Sequence, residues 1–331
     1  MTVKIAIIGL GQIGASIGLA LARHKDQVTT IGYDNVEEVN RKAIKMGAVE
    51  KIGHGVYASV EKADMIILAL PLDQVRETLQ AMAQDVRENA VVIDTAPVKL
   101  AVAAWAEEFL PPKRHYVGLT LAPNPLLLDD AGNSARADLF QNGLAAITTP
   151  SGTVGEAIKL AASFVTLLGA RPYFADLAEV DGIMASVHTL PALAAAALAE
   201  TVMGQPGWND IRKLAGYPFM AAMRPLDGQE AAGLAESAHK NRVNTVRLLD
   251  EYISAIQILR DEVNKEERDT LQAHLKGVLN EHAQWQRTRA NSDLQSSEFP
   301  KQEMPTFADI WKGQLGLGKI LDRRNKKTKH D

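Results

Sequence analysis

Three glycines and one acid carry the clearest chemistry in this chain. Gly9, Gly11 and Gly14 spell G-x-G-x-x-G within KIAIIGLGQIGASIGLALARH. The first glycine permits a tight turn, the second lets a pyrophosphate approach the backbone, and the third lets a helix pack closely on a strand. Gln12, Ile13 and Gly14 stand at the expected helix start, where free N–H groups and the positive dipole end attract phosphate. Asp34 ends the next apolar run, VTTIGYD, at a spacing that suits hydrogen bonds from adenosine ribose hydroxyls. An acid there repels a 2′-phosphate, so NAD is favoured, while Arg41 downstream leaves NADP open. Leu70 ends the run ADMIILAL and Pro71 follows it, where open α/β sheets bind ligands, at the carboxyl ends of the strands. The implied chemistry is dinucleotide binding.

The elements that must position these residues alternate in type. Lys4 to Ile8 is a continuous apolar run, as in a strand buried on both faces of a parallel sheet. Further strands are expected at Ala63 to Leu70, Ala90 to Asp94, Arg114 to Leu119 and Leu144 to Thr148, with amphipathic helices such as Glu38 to Met46 and Gln74 to Val86 between them. The expected fold class is an α/β Rossmann-type parallel-sheet domain over residues 1–150, followed by an all-helical dimerisation domain over 151–288. In the second part ARPYFAD reads as one short strand, and Leu177 to Met203 as a long helix that is apolar all round. Such a helix must be covered within a domain or between subunits, which suggests a homodimer. Gln229 to Asn264 and Glu266 to Arg287 read as longer helices. Residues 289–331 read as a polar tail ending in the basic run RRNKKTK, with Phe307, Ile310 and Trp311 able to dock a last short helix.

Composition narrows the partners. The 331 residues are 46% hydrophobic and 23% charged, with a net charge of -4 and no cysteine. No basic field invites nucleic acid. Thiolate metal sites and cysteine nucleophiles are excluded, and no His/Asp/Glu cluster has metal-ligand spacing. The N-terminal run lacks the features of a signal peptide, and the stretch Leu190 to Ala199 is too short to span a bilayer, so a cytoplasmic protein without membrane contact is expected.

The order of motifs resembles the prephenate dehydrogenase family over roughly residues 3–260. IIGLGQIGASIGLAL, GYD at Gly32 to Asp34, ADMIILALP at Ala63 to Pro71, VIDTAPVK at Val92 to Lys99, TTP at Thr148 to Pro150 and DGIMASVHTLP from Asp181 carry the resemblance. It implies an NAD(P)-dependent oxidoreductase with a helical dimerisation domain. Such an enzyme oxidises the ring hydroxyl of prephenate or arogenate by hydride transfer, with loss of carbon dioxide, in tyrosine biosynthesis. In the family a histidine of a GGHPMAG-like motif takes the hydroxyl proton and a serine of a D-x-G-S-V-K motif helps hold that group. An arginine of the helical domain binds a substrate carboxylate.

Several of those positions differ here. Thr120 stands in place of the first histidine and Pro97 in place of the serine. The two histidines of a later SHLPH motif fall on Thr189 and Ala192, with His188 one place early, roughly 100° away around an α-helix. Lys99 matches the family lysine, and Arg224 and Asn241 are matched to the arginine and to a helical asparagine.

Proton transfer therefore falls to Lys99 or His188, with Thr120 and Asn124 hydrogen-bonding a carboxylate-bearing substrate. Each has an alternative: an ion pair for Lys99, a buried and satisfied ring for His188, a local pair with Asp227 for Arg224. The substrate is either prephenate or arogenate or a related hydroxylated acid. The competing reading is a non-catalytic dinucleotide-binding sensor or regulatory dimer.

Overall fold

The structure is a computed structural model that describes residues 2–127, 134–265 and 268–290. The first compact unit runs through Asp181. Its elements are β1 (Val3–Ile8), α1 (Gln12–Leu21), β2 (Val28–Tyr33), α2 (Glu37–Met46), β3 (Lys51–Ile52), α3 (Val56–Val60) and β4 (Met65–Leu68). Then follow α4 (Leu72–Met82), β5 (Val91–Asp94), α5 (Lys99–Phe109), β6 (His115–Leu121), β7 (Leu144–Thr148), α6 (Gly155–Leu167) and β8 (Arg171–Phe174).

The eight strands form one sheet in the order β3-β2-β1-β4-β5-β6-β7-β8. Every neighbouring pair is parallel except β6 with β7. Alternation along the strands divides the side chains between two cores. Ile5, Ile7, Met65, Ile67, Val117 and Leu119 pack with α1 and α6 on one face, while Ala6, Ile8, Ile66, Leu68, Val92 and Tyr116 pack with α4 and α5 on the other. This is why the central strands read as unbroken apolar runs. Strand order reverses between β1 and β4, and ligands bind at such a point, beyond the carboxyl ends of the strands. Because β8 pairs with β7, the sheet and its unit extend past residue 150 and take in α6 and β8.

The second unit starts at Gly182, and all its described elements are helices joined by short turns. Residues Leu177–Met203 form one helix of 27 residues that by length and composition alone could cross a membrane. It comprises α7 (Leu177–Met184), a π-helical turn over Ala185–Thr189, and α8 (Leu190–Met203). The turn packs on α11 (Ala231–Lys240) and α12 (Arg242–Asn264), and α8 packs on α10 (Tyr217–Met223), which follows α9 (Trp208–Leu214). The last described helix is α13 (Arg268–Ala290).

Two sequence expectations change in detail. The helix expected from Gln229 to Asn264 is two helices broken at Asn241, whose backbone leaves helical geometry at φ -107 and ψ 35. Asparagine competes for backbone hydrogen bonds in this way, and its side chain also accepts from Asn244 Nδ2 at 2.9 Å. The π turn is invisible to a periodicity argument, because one wide turn shifts the phase without changing the apolar character of its surroundings. The proposed docking of Phe307, Ile310 and Trp311 lies outside the described residues.

Candidate active site

The glycine motif forms the turn between β1 and α1. Gly9 has a φ of 90°, and a Cβ there would lie 2.3 Å from the Ala69 carbonyl oxygen. That contact places Leu70, whose Cδ2 lies 2.9 Å from the same point, directly against the turn. Gly14 is required for another reason: a Cβ would fall 1.9 Å from the Gly9 carbonyl oxygen. Gly11 differs from both, since no atom of the described residues lies within 4 Å of its Cβ position. Among the described residues the backbone is thus uncovered at the one glycine expected to meet a pyrophosphate. Gln12 and Ile13 open α1, the first turn carries no acid, and its leading N–H groups have no acceptor within the helix. The cradle fits a dinucleotide phosphate.

Asp34 follows β2 and is joined to the same turn. Its Oδ2 accepts from Leu10 N at 2.9 Å and its Oδ1 from Val36 N at 2.9 Å. Asn40 brackets its backbone, accepting from Asp34 N and donating to Asp34 O. An ionised carboxylate has about four acceptor positions, so lone pairs remain for ribose hydroxyls. On the neighbouring loop, Pro71 caps α4 with an extended backbone.

Lys99 begins α5 and has no solvent exposure. Its Nζ donates to Leu119 O at 2.9 Å, Asp94 Oδ1 at 3.0 Å and Asp94 O at 3.2 Å. Three acceptors match the three protons of an ammonium. Of the two alternatives for Lys99, the structure shows the ion pair. Burial pulls its pKa below the usual lysine value, and Asp94 works against that pull. Tyr116 donates to Asp94 Oδ2 at 2.6 Å, and burial raises its pKa well above the usual tyrosine value, with Asp94 adding to the effect. The carboxylate of Asp181 accepts from the backbone N–H groups of Lys99 and Leu100, capping α5 from a distant segment. Burial raises the Asp181 pKa, against the pull of those two donors.

The other candidates are placed as follows. Thr120 lies near the end of β6, its Oγ1 buried with no hydrogen-bond partner among the described residues. Asn124 is 6% exposed and serves its own loop, accepting from Leu126 N at 3.0 Å, while its N–H meets Leu139 O. These bonds tie Asn124, which was expected from the sequence to hydrogen-bond the substrate, into its own loop. In the helical unit, His188 sits in the π turn with Nδ1 buried and unpartnered among the described residues. Burial lowers its pKa. Arg224 and Asp227 are both exposed, and Asn241 is buried at the α11–α12 junction. Lys99 and Thr120 thus share the end of β6, whereas His188, Arg224 and Asn241 belong to the helical unit.

Sequence reasoning missed Asp94 and Asp181 as partners of Lys99, and Tyr116 as a partner of Asp94. One signal was present: VIDTAPVK puts an acid at the end of a buried strand, and an acid there requires a nearby cation.

Two domain profiles match this chain: prephenate dehydrogenase, nucleotide-binding domain, over residues 17–174, and prephenate dehydrogenase, dimerization domain, over residues 177–277. The chain belongs to the prephenate dehydrogenase family. It is therefore an NAD(P)-linked dehydrogenase of that type. The first match begins after Gly14, so the glycine cradle stands on its own geometry. Among relatives, the cyclohexadienyl dehydrogenase of Zymomonas mobilis is 25% identical over 274 residues, covering 82% of this chain and 92% of that protein. The prephenate dehydrogenase of Bacillus subtilis is 25% identical over 278 residues, covering 82% and 73%. The solved prephenate dehydrogenase of A. aeolicus, in complex with hydroxyphenyl propionate and NAD+, shares the fold at a TM-score of 0.74 and 21% identity, over 86% of this chain and 98% of that one.

The glycines make opposite predictions. Gly11→Ala is expected to unfold within about 0.5 kcal/mol of the parent but to bind NAD about tenfold or more weakly. Gly14→Ala is expected to lose about 1–3 kcal/mol of stability by overpacking. Denaturation and calorimetric titration of both variants check this, and equal behaviour of the two would contradict the assigned roles.

Proposed function

We propose that this dehydrogenase oxidises a ring-hydroxylated carboxylate of the prephenate or arogenate class, with NAD as hydride acceptor. The observation that carries the proposal is the uncovered approach over Gly11 at the start of α1, joined through Leu10 to a carboxylate that favours a free ribose 2′-hydroxyl. The names of the relatives support the substrate class. Bound NAD supplies the hydride acceptor, and the chain supplies binding, orientation and a destination for the hydroxyl proton.

That destination is assigned to His188. Lys99 has every ammonium proton on an acceptor, whereas His188 keeps an unpartnered ring nitrogen. Its lowered pKa keeps the ring neutral at pH 7, the form that accepts a proton. The π turn bears on the register as well. A π turn accommodates one extra residue, so an offset of one position does not carry the 100° penalty of an unbroken α-helix. Arg224 is the proposed partner of a substrate carboxylate, and Asn241 a polar neighbour of that substrate.

The helical unit is proposed to pair with a second copy of the chain. Val243, Val246, Ile253 and Ile256 stand exposed on α12, and the dimerization-domain match supports covering them with a partner.

With prephenate or arogenate and NAD, purified protein is expected to raise the absorbance of reduced nicotinamide. Arg224→Ala is expected to raise KM for the acid about tenfold or more while leaving that for NAD nearly unchanged. His188→Gln is expected to lower kcat by about 10²–10⁴. In the parent the rate should fall as acid protonates His188, with that limb lying below pH 6.5, and the limb should vanish in the variant. Tight NAD binding without turnover on either acid would replace this reading with a dinucleotide sensor. In sedimentation, the parent is expected to be a dimer and Val246→Asp a monomer; a monomeric parent would contradict the pairing.

A further inference from the structure

The end of β2, where the acid of the cofactor turn stands, is held differently on its two sides. Toward β1, Tyr33 pairs with Ile8, Gly9 N donates to Tyr33 O at 2.9 Å, and Leu10 N donates to the Asp34 carboxylate at 2.9 Å. Toward β3 the pairing stops earlier. β3 ends at Ile52, level with Gly32, whose carbonyl accepts from Gly53 N at 2.9 Å. Alternation along β2 turns the backbone N–H and C=O of Asp34 to that same side, one step beyond the last rung. Asn40 takes the place of a further strand residue there: its Oδ1 accepts from Asp34 N at 2.9 Å and its Nδ2 donates to Asp34 O at 2.8 Å. The side chain comes from α2, whose two buried residues are Asn40 and Ala43. Asparagine is a weak helix former with polar groups to satisfy, so its place on the buried face of α2 is explained by these two bonds and not by apolar packing.

We propose that Asn40 is the positioning residue that sets the cofactor preference, by holding Asp34 where its carboxylate accepts from an unphosphorylated ribose and repels a 2′-phosphate. The acid is fixed at three points. Leu10 N holds Oδ2, Val36 N holds Oδ1 at 2.9 Å, and Asn40 holds the backbone from which the side chain springs. A fixed anion discriminates because it cannot turn away from the wrong partner. A carboxylate free to swing aside gives up part of its bond to the hydroxyl and meets the phosphate at lower cost. Arg41 is next in the chain and mostly exposed, and its pair with Glu37 is loose at 4.0 Å. Its charge is therefore at hand for a 2′-phosphate once the acid yields. Asn40 is buried and acts through Asp34 alone. The inference rests on the reading of Asp34 given above and adds the residue that enforces it.

The test is calorimetric titration of the full-length protein with NAD+ and with NADP+, read as the ratio of the two dissociation constants. The parent is expected to bind NAD+ about tenfold or more tightly than NADP+. Asn40→Leu should weaken NAD+ binding and narrow that ratio by about fivefold or more. If Asn40→Leu does not fold, Asn40→Ala leaves room for water on the two Asp34 backbone groups and is expected to narrow the ratio in the same way. Ala43→Gly loosens the same face of α2 without touching Asp34, and it should leave the ratio at the parent value. A merely structural role would weaken both cofactors alike and leave the ratio unmoved. An unchanged ratio in the Asn40 variant that folds overturns the positioning role, as does an equal narrowing in Ala43→Gly. A parent that binds both cofactors alike overturns the reading of Asp34, and this inference with it.

Discussion

A lysine ammonium without solvent exposure sits at the carboxyl edge of the sheet, and its charge must be balanced before its neighbours can be placed. Asp94 supplies the balance from the end of β5, and Lys99 reaches it from the start of α5. The same ammonium holds the overhang of β6, the same carboxylate takes the Tyr116 hydroxyl, and the backbone of Lys99 is capped by Asp181. Removing one member of a buried pair typically costs about 3–5 kcal/mol, because the other charge is left uncompensated. One strand end, one helix start, the neighbouring strand and the beginning of the long helix are therefore coupled through a single pair of charges.

This coupling separates two jobs that a lysine beside a hydride-transfer site could do. A general base needs a free lone pair, and Lys99 offers none in the ammonium form that the three acceptors around it match. What the structure shows is geometry: the ammonium bonds the Leu119 carbonyl at 2.9 Å, one residue before Thr120, which stands instead of the histidine that the family resemblance leads one to expect. The departure at that position has a structural counterpart in a buried hydroxyl with no partner among the described residues. The proposed proton acceptor, His188, stands in a widened helical turn, where burial lowers its pKa and keeps the ring neutral at pH 7.

The legible parts of the fold were those set by local rules. Gly9, Gly11, Gly14 and Asp34 announce the dinucleotide turn because each meets a steric or electrostatic demand that few other residues meet. The buried strands announce themselves by apolar runs flanked on both faces. Lys99 was visible as a candidate, but its role was not, since the deciding contact with Leu119 depends on where β5 stops relative to β6. Asn124 was read only as a substrate-bonding amide, and its bonds to the returning limb of its loop depend on a fold-back that its neighbours in sequence do not encode. The π turn around His188 was hidden because its residues do not differ in kind from those of the α-helix on either side. Likewise, β8 could be recognised as a strand from ARPYFAD, while its membership of the sheet depends on pairing with β7, which composition does not encode.

The most direct test of this account is the protonation state of Lys99 itself, read by nitrogen-15 NMR of the lysine side chains at pH 7 with Lys99→Arg used to assign the signal. An ammonium in slow exchange with water, unchanged on adding NAD+ and 4-hydroxyphenylpropionate, is the predicted result. A neutral amine, or one that becomes neutral in the ternary complex, would contradict the account and make Lys99 the proton acceptor.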